Sequence, residues 1–184
     1  KKGFNSEQFS ELTVRIQNLE NPPATKVGAD PEFEVRNASD HIVTAGAFII
    51  DYNHNKRLGM DGAGFIGELS PAPGSPDAVF LNVKKLIEKA KKIFPAGYNI
   101  GAGAGEMHPL GGHIHIGDGG SPSREILNAL DKFISQPLND KSNKQTRGAY
   151  GEMSSWRRQP HGWEYRTPCS WLAHPDLAKG ALAI

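Results

Sequence analysis

The sequence predicts an α+β fold, with one antiparallel sheet that carries helices on one face and a polar site on the other. Short segments alternate apolar and polar residues at the two-residue period of a strand, and two longer segments repeat apolar residues at helical spacing. These segments do not alternate strictly along the chain, as they would in a parallel βαβ protein. The 184 residues are enough for one domain with a real core.

The first half of the chain is predicted to be mostly strand. Residues 5–20 are a helix candidate, which the Asn-Pro-Pro sequence that follows would end. Residues 27–36 are predicted to form a strand, and its hairpin partner is expected within 42–50. The glycine-rich segment 58–69 is predicted to fold as strand, loop and strand.

The second half contains the clearest helix, which begins at Ser75 with proline at the next position. Its apolar stripe consists of Val79, Val83, Leu86, Ile87, Ala90 and Phe94. The other predicted elements are strands at 98–102, 111–117 and 162–167, a helix from Ser121 to about Ile134, and a last helix capped by Asp176. The polar segment 136–149 is a candidate lid.

The composition argues against several classes of protein. The 21 Lys and Arg residues nearly balance the 20 Asp and Glu residues, so the net charge of +1 gives no argument for nucleic acid or for an anionic membrane as a partner. No apolar run reaches the length of about 18 residues that a membrane span needs. The single cysteine, Cys169, permits no intrachain disulfide, so we expect a cytoplasmic protein. Because the chain stops within an apolar run, we expect the natural protein to extend beyond Ile184.

The first polar motif is a row of three carboxylates on one strand. In the segment DPEFEV, Asp30, Glu32 and Glu34 share one face. Carboxylates spaced roughly 6.6 Å apart along a strand repel one another unless cations lie between them. The segment therefore indicates either a cation site or an ordinary solvent-facing strand.

Two further strands carry polar residues on one face. His113 and His115 alternate with isoleucines in GHIHIG, and imidazole is a common contact for metals and phosphates. Two unremarkable, half-exposed histidines are the alternative. Glu164 and Arg166 alternate with aromatic residues in GWEYRT. The acid could bind a metal while the arginine contacts a phosphoryl group. A simple ion pair between the two residues is the alternative.

Two acids in the glycine-rich segment and three arginines complete the set of candidates. Glu68 lies in an otherwise apolar strand and needs a partner if it is buried, whereas Asp61 also suits a plain hairpin turn. Arg147, Arg157 and Arg158 precede the Glu-x-Arg strand. Each alone is typical of a surface, but together they fit a site for phosphates or a substrate carboxylate.

In combination, four separated strands offer acids or histidines on one face and apolar residues on the other. Strands of this kind can converge around more than one divalent ion, and carboxylates with a minor share of imidazole favour Mg²⁺ or Mn²⁺ over Zn²⁺. The chain has neither a Walker-type phosphate loop nor a Rossmann fingerprint.

This order of motifs resembles the glutamine synthetase and glutamate–cysteine ligase superfamily of carboxylate–amine ligases, and it is closest to the phage-type COOH–NH2 ligases. The segment DPEF looks like the first metal-binding strand of that superfamily, GHIH like its Met-His-x-His strand, and EYR like its Glu-Phe-Arg strand. Asp61 and Glu68 resemble its second pair of acidic ligands.

The resemblance implies a glutamine synthetase-like catalytic domain at 26–184, incomplete at its C-terminus, after an N-terminal extension at 1–25. It implies an ATP-dependent ligase that uses Mg²⁺ or Mn²⁺ and joins an amino acid or peptide carboxylate to an amine through an acyl phosphate. A homo-oligomer fits this reading, as does the host cytoplasm if a phage encodes the chain. The implied metal ligands are Asp30, Glu32, Asp61, Glu68, His113 and Glu164; the implied catalytic residues are Arg147, Arg157 and Arg166; and the implied cofactor contacts are Glu34, His115 and Arg158.

The residues also leave two other functions open. A metal-dependent hydrolase would use the same acids and histidines to activate water. A non-catalytic phage binding protein would keep the scaffold and bind no metal. Amine-dependent release of ADP from ATP separates a ligase from a hydrolase, and Mg²⁺ binding separates both from a binding protein.

Overall fold

A computed structural model describes residues 25–49, 57–61, 64–117, 120–139 and 147–183. The helix expected at 5–20 lies outside these ranges. Within them the chain has an α+β fold with an antiparallel sheet, which confirms the fold class that the alternation of the sequence predicts. None of the helices in these ranges is long and apolar enough to cross a membrane.

The described part of the chain forms eight strands and four α-helical segments. The strands are β1 (Lys26–Arg36), β2 (Ile42–Val43), β3 (Leu58–Asp61), β4 (Ile66–Leu69), β5 (Asn99–Gly101), β6 (Gly112–Gly117), β7 (Trp156–Gln159) and β8 (Gly162–Tyr165). The helices are α1 (Pro76–Ile93), α2 (Arg124–Leu130), α3 (Gln136–Asn139) and α4 (Pro175–Leu182), and a π-helical turn (Asp131–Ser135) joins α2 to α3.

The long strand β1 organises the sheet. The strand order is β3-β4-β1-β6-β8-β7, and every neighbouring pair is antiparallel. With 11 residues, β1 pairs with β6 along its first half, with β4 at its centre, and with β5 and β2 at its end. The strands that carry the polar motifs are therefore adjacent to β1 or one strand further away.

Alternation along β1 separates core residues from polar ones. Val27, Ala29, Phe33 and Val35 belong to one buried cluster, which also contains apolar residues of α1 and α2. Asp30, Glu32 and Glu34 lie between them and point the other way, because successive strand residues face opposite sides. The apolar side chains of β1 thus hold the strand in the core while its acids remain available for other contacts.

A buried polar network joins β8 to the π-helical turn. The hydroxyl of Tyr165 donates to Asp131 Oδ1 (2.5 Å) and lies 2.7 Å from Ser135 Oγ, while Ser154 Oγ donates to Asp131 Oδ2 (2.6 Å). Burial and the hydrogen bond to Asp131 raise the pKa of Tyr165 above its ordinary value. Because every group has a partner, the network compensates for desolvation and fixes the strand that carries the neighbouring Glu164.

Two strand expectations differ from the structure. Strand β2 covers only two residues of the segment 42–50, because residues 45–47 turn into a short 3-10 helix. Strand β7 was not predicted, since its sequence WRRQ lacks apolar alternation. Among the described strands it pairs with β8 alone and forms an edge of the sheet, where polar residues are tolerated.

The helix boundaries differ as well. The second helix starts at Arg124, where Ser123 caps it, and it runs on through the π-helical turn into α3. Residues 136–139 of the candidate lid are therefore helical, and residues 140–146 lie outside the described ranges. The cap of α4 is His174 and not Asp176: its Nδ1 accepts the backbone N–H of Asp176 (3.2 Å).

Replacing Gly67 with alanine is expected to destabilise the sheet. A Cβ at this position would lie 2.2 Å from the ring of Phe33, its fully buried partner across the β1–β4 ladder. We expect the free energy of unfolding to fall by about 1–3 kcal/mol in urea denaturation. Gly59→Ala on β3 is the control, because a Cβ there meets no atom within 4 Å. Equal losses in the two variants would contradict this account of the packing.

Candidate functional site

The strand register brings six of the predicted polar residues to one side of β1, β4, β6 and β8. Residues that are opposite each other in a ladder point to the same side of the sheet. The ladder pairs are Asp30 with His113, His115 with Glu164, and Glu32 with Glu68. We refer to Asp30, Glu32, Glu68, His113, His115 and Glu164 as the central cluster.

At the middle of the central cluster, a histidine nitrogen faces two carboxylate oxygens. Nδ1 of His113 lies 3.6 Å from Asp30 Oδ1 and 3.4 Å from Glu164 Oε1. Asp30 Oδ1 is buried and has no hydrogen-bond partner among the described residues. Asp30, His115 and Glu164 each offer one ligand atom within 4.8 Å of the other two. Burying the Asp30 oxygen without a partner costs free energy. The donor set therefore fits a cation held by carboxylates and imidazole.

Crowding of carboxylates changes their affinity for protons. Burial, reinforced by the charges of Asp61 and Asp30, raises the pKa of Glu32 to about 7. Burial and the charges of Asp30, Asp61 and Glu32 raise the pKa of Glu68 to about 8. Near neutral pH both groups are therefore partly protonated, and a cation that enters the cluster can displace these protons.

Asp30 behaves differently because His115 lies beside it. Burial alone would raise the pKa of Asp30, but the hydrogen bond and the charge of His115 outweigh it and lower that pKa. The contact joins His115 Nε2 to Asp30 Oδ2 at 3.1 Å. On its other side, His115 Nδ1 lies 3.1 Å from Nε2 of His161, which sits in the turn between β7 and β8. Asp30 is thus a carboxylate that stays ionised inside the cluster.

Glu164 is fully buried and is held by two arginines and a glutamine. Its Oε2 accepts from Arg157 Nε (2.9 Å), Arg157 Nη2 (2.7 Å) and Gln159 Nε2 (2.6 Å), and its Oε1 accepts from Arg166 Nη1 (2.5 Å). The acid therefore fixes two guanidinium groups next to the cluster. Guanidinium groups in such a position suit an anionic phosphoryl group or carboxylate.

Glu32 is bound from two directions. The backbone N–H of Gly111 donates to Oε2 (2.6 Å), and the hydroxyl of Tyr150 donates to Oε1 (3.0 Å). The same hydroxyl lies 3.0 Å from Nε2 of His113. No sequence motif marks Tyr150, His161 or Gln159 as site residues. These residues lie in turns or at a strand edge, where no alternation marks a side chain that points at the cluster.

Six of the predicted site residues lie outside the central cluster: Arg157 and Arg166 bind Glu164, and the other four are Asp61, Glu34, Arg158 and Arg147. Asp61 is nearest: it is exposed at the end of β3, on the same side as Glu68, and it contributes to the raised pKa values described above. Glu34 holds a loop instead, since its Oε1 accepts the backbone N–H groups of residues 106–108 at 2.8–3.4 Å. Its Oε2 pairs with Arg36 at 3.5 Å.

The structure also keeps two of the predicted arginines away from the cluster. Arg158 is opposite Trp163 in the β7–β8 ladder and so points to the other side from Arg157. Its Nη1 donates to Ser121 Oγ (3.1 Å). Arg147 is buried, and its guanidinium group donates to the carbonyl oxygens of Thr167 (3.0 Å) and Pro168 (3.3 Å). Neither arginine contributes to an anion site beside Glu164.

A cleft of about 500 Å³ opens next to the central cluster, at the start of β1. Asp30, Glu68 and His115 form the wall that it shares with the cluster, and Lys26, Pro71 and His161 are among the other lining residues. A pocket with mostly apolar walls and a few polar groups at one end is the usual form of a small-molecule site. A ligand in this cleft would reach the acids of the cluster directly.

Comparison with known families supports the resemblance found in the sequence. The family model described as phage phiEco32-like COOH.NH2 ligase-type 2 matches residues 27–184. The match includes every strand that contributes to the central cluster. No curated protein matches the chain.

The raised pKa of Glu68 predicts how the stability of the metal-free protein depends on pH. The folded state takes up a proton at Glu68 more readily than the unfolded state does, so this group stabilises the fold below its unfolded pKa and loses that effect as pH rises towards 8. We therefore expect the free energy of unfolding of Glu68→Gln, relative to wild type, to shift in favour of the variant between pH 5 and pH 8. Urea denaturation in the presence of EDTA measures it.

The control for this series is Glu88→Gln, which changes an exposed glutamate on α1 that pairs with Lys91. Its pH profile is expected to run parallel to that of the wild type. A parallel profile for Glu68→Gln as well would show that Glu68 does not gain proton affinity on folding.

Proposed function

Because this chain belongs to the phage phiEco32-like COOH.NH2 ligase-type 2 family, we propose that it joins a carboxylate to an amine in a reaction driven by ATP, with Mg²⁺ or Mn²⁺ at the central cluster. The family implies a ligase that forms a carbon–nitrogen bond. One observation carries the finer proposal: His113 Nδ1 lies 3.6 Å from Asp30 Oδ1 and 3.4 Å from Glu164 Oε1, and Asp30 Oδ1 has no donor among the described residues.

We further propose that the fold is of the glutamine synthetase type, with helices on one face of the sheet and the site on the other. The alternation of core residues and acids along β1 supports this arrangement. In this reading residues 26–184 are the catalytic domain and residues 1–25 are an N-terminal extension.

The proposed metal ligands are Asp30, Glu32, Glu68, His113 and Glu164, with Asp61 at the rim. An oxygen-rich donor set with one imidazole suits Mg²⁺ or Mn²⁺. When bound, the metal supplies the positive charge that lets a substrate carboxylate approach the phosphates of ATP. The raised pKa values of Glu32 and Glu68 support the proposal, because clustered acids of this kind gain most from a cation.

The guanidinium groups of Arg157 and Arg166 are proposed to hold the phosphoryl group that is transferred. Glu164 positions both, and Arg166 is only 25% exposed, which strengthens its interaction with an anion. His115 is the proposed contact for the nucleotide, because it lines the cleft together with Lys26 and His161. Lys26 adds a positive charge that suits the phosphates of ATP.

In the proposed reaction, an oxygen of an amino acid or peptide carboxylate attacks the γ-phosphorus of ATP. The bond from that phosphorus to the bridging oxygen breaks, which gives an acyl phosphate and ADP. The nitrogen of the amine then attacks the acyl carbon, inorganic phosphate leaves, and the nitrogen loses one proton as the amide forms. The role of this chain is to hold both anions together, which is positioning and electrostatic stabilisation.

We expect the purified protein to release ADP from ATP only when a carboxylate and an amine are both present. Hydroxylamine can serve as the amine with a panel of amino acids and dipeptides, because it traps an acyl phosphate as a hydroxamate that ferric iron detects. Glu32→Gln, His113→Ala and Arg166→Ala are each expected to lower ADP release by about 100-fold or more.

Arg124→Ala is the matched control, because Arg124 is an exposed arginine at the start of α2. Its ADP release should equal that of the wild type. Mg²⁺-dependent release of ADP without any amine would favour the hydrolase, and unchanged activity in the variants of Glu32, His113 and Arg166 would refute the assignment of the site.

A further inference from the structure

The hydroxyl of Tyr150 connects two residues of the central cluster that lie on different strands. It is 3.0 Å from Oε1 of Glu32 on β1 and 3.0 Å from Nε2 of His113 on β6. The rings of Tyr150 and His113 are 5.9 Å apart. Tyr150 itself belongs to the turn segment before β7, so only the tertiary structure makes this contact.

The protons available at this contact determine which nitrogen of His113 is free. A tyrosine hydroxyl has one proton, and the hydroxyl of Tyr150 donates it to Oε1 of Glu32. The hydroxyl oxygen then accepts the N–H of Nε2 from His113. A neutral imidazole that is protonated on Nε2 has its lone pair on Nδ1. That nitrogen is the atom that faces Asp30 and Glu164 at 3.6 and 3.4 Å.

We propose that Tyr150 is a positioning residue that holds His113 as the Nε2–H tautomer, so that Nδ1 is the nitrogen that binds the cation. The inference rests on the metal site of the proposed function. With the proton on Nδ1 instead, a donor would point into the cluster, and a cation could not bind that nitrogen. Tyr150 therefore acts on the metal through His113 and Glu32 and does not touch it.

A frame outside the central cluster keeps Tyr150 in place. The guanidinium carbon of Arg147 lies 5.4 Å from the centre of the tyrosine ring, and Arg147 is anchored to the carbonyl groups that follow Arg166. Gly151 comes next in the chain with a φ of +72°, and a Cβ there would lie 2.0 Å from Arg147 Nη2. Arg147 thus packs on the ring of Tyr150 and holds it in place. This buried arginine therefore has a role near the site without belonging to the central cluster.

The test is nitrogen NMR on metal-free protein labelled with ¹⁵N-histidine, together with Mn²⁺ titration calorimetry. The signals of His113 are assigned by their loss in His113→Gln. We expect the Nε2–H tautomer in the wild type and a loss of this preference in Tyr150→Phe. We also expect Tyr150→Phe to weaken Mn²⁺ binding by about 10–100-fold, as removal of a partner of a metal ligand does. Tyr98→Phe is the control, because its ring packs on Phe48 at 5.3 Å, away from the cluster.

An Nδ1–H tautomer in the wild type overturns the proposal, and so does an unchanged Mn²⁺ affinity in Tyr150→Phe. Asp30→Asn tests the metal site itself. If Asp30→Asn abolishes Mn²⁺ binding and Tyr150→Phe leaves it unchanged, the metal site stands and only the role of Tyr150 fails. If Mn²⁺ does not bind to the wild type, the proposed function fails, and the role of Tyr150 at the metal fails with it.

Discussion

Repulsion between carboxylates on one side of the sheet is the constraint around which this structure is arranged. Two unit charges 4 Å apart repel by about 4 kcal/mol at the effective dielectric constant of a protein surface. The fold nevertheless brings Glu32 opposite Glu68 and keeps Asp30 two residues away on the same strand. It can do so because Ala29, Phe33 and Val35, on the opposite face of β1, are buried in the core and hold the strand in register.

Each acid of the central cluster has a different partner that offsets this repulsion. His115 stabilises the charge of Asp30, two arginines neutralise Glu164, and a backbone N–H and Tyr150 bind Glu32. Glu68 has only Ser70 as a hydrogen-bond donor among the described residues, at 3.2 Å. The acids of the cluster therefore fall into two groups. Protein groups balance the charge of some of them, and the others need a proton or a cation to do so. The proposed function would use such a division, because the site would bind a cation and anionic substrates in turn.

Several predicted site residues share a motif with the central cluster and yet serve the scaffold. Glu34 continues the row of acids on β1, but β1 pairs with β5 at that point, and the carboxylate secures the loop at residues 106–108. Arg158 follows Arg157 directly, and the two-residue period of a strand sends it to the opposite side. The residue types and spacing at these positions fit the motifs. The pairing of each strand nevertheless determines what the side chain contacts.

The amino-acid sequence by itself determined the α+β class, the long helix after Ser75 and the strands on which acids and histidines alternate with apolar residues. These features follow from short-range periodicity, which is written in the chain and needs no distant contact. Only the tertiary structure decided that Tyr150, Gln159 and His161 reach the central cluster, that Arg147 supports Tyr150, and that β7 forms the edge of the sheet. The reason is physical: turns and edge strands carry no repeating pattern, so the partners of their side chains depend on contacts between residues far apart in the chain.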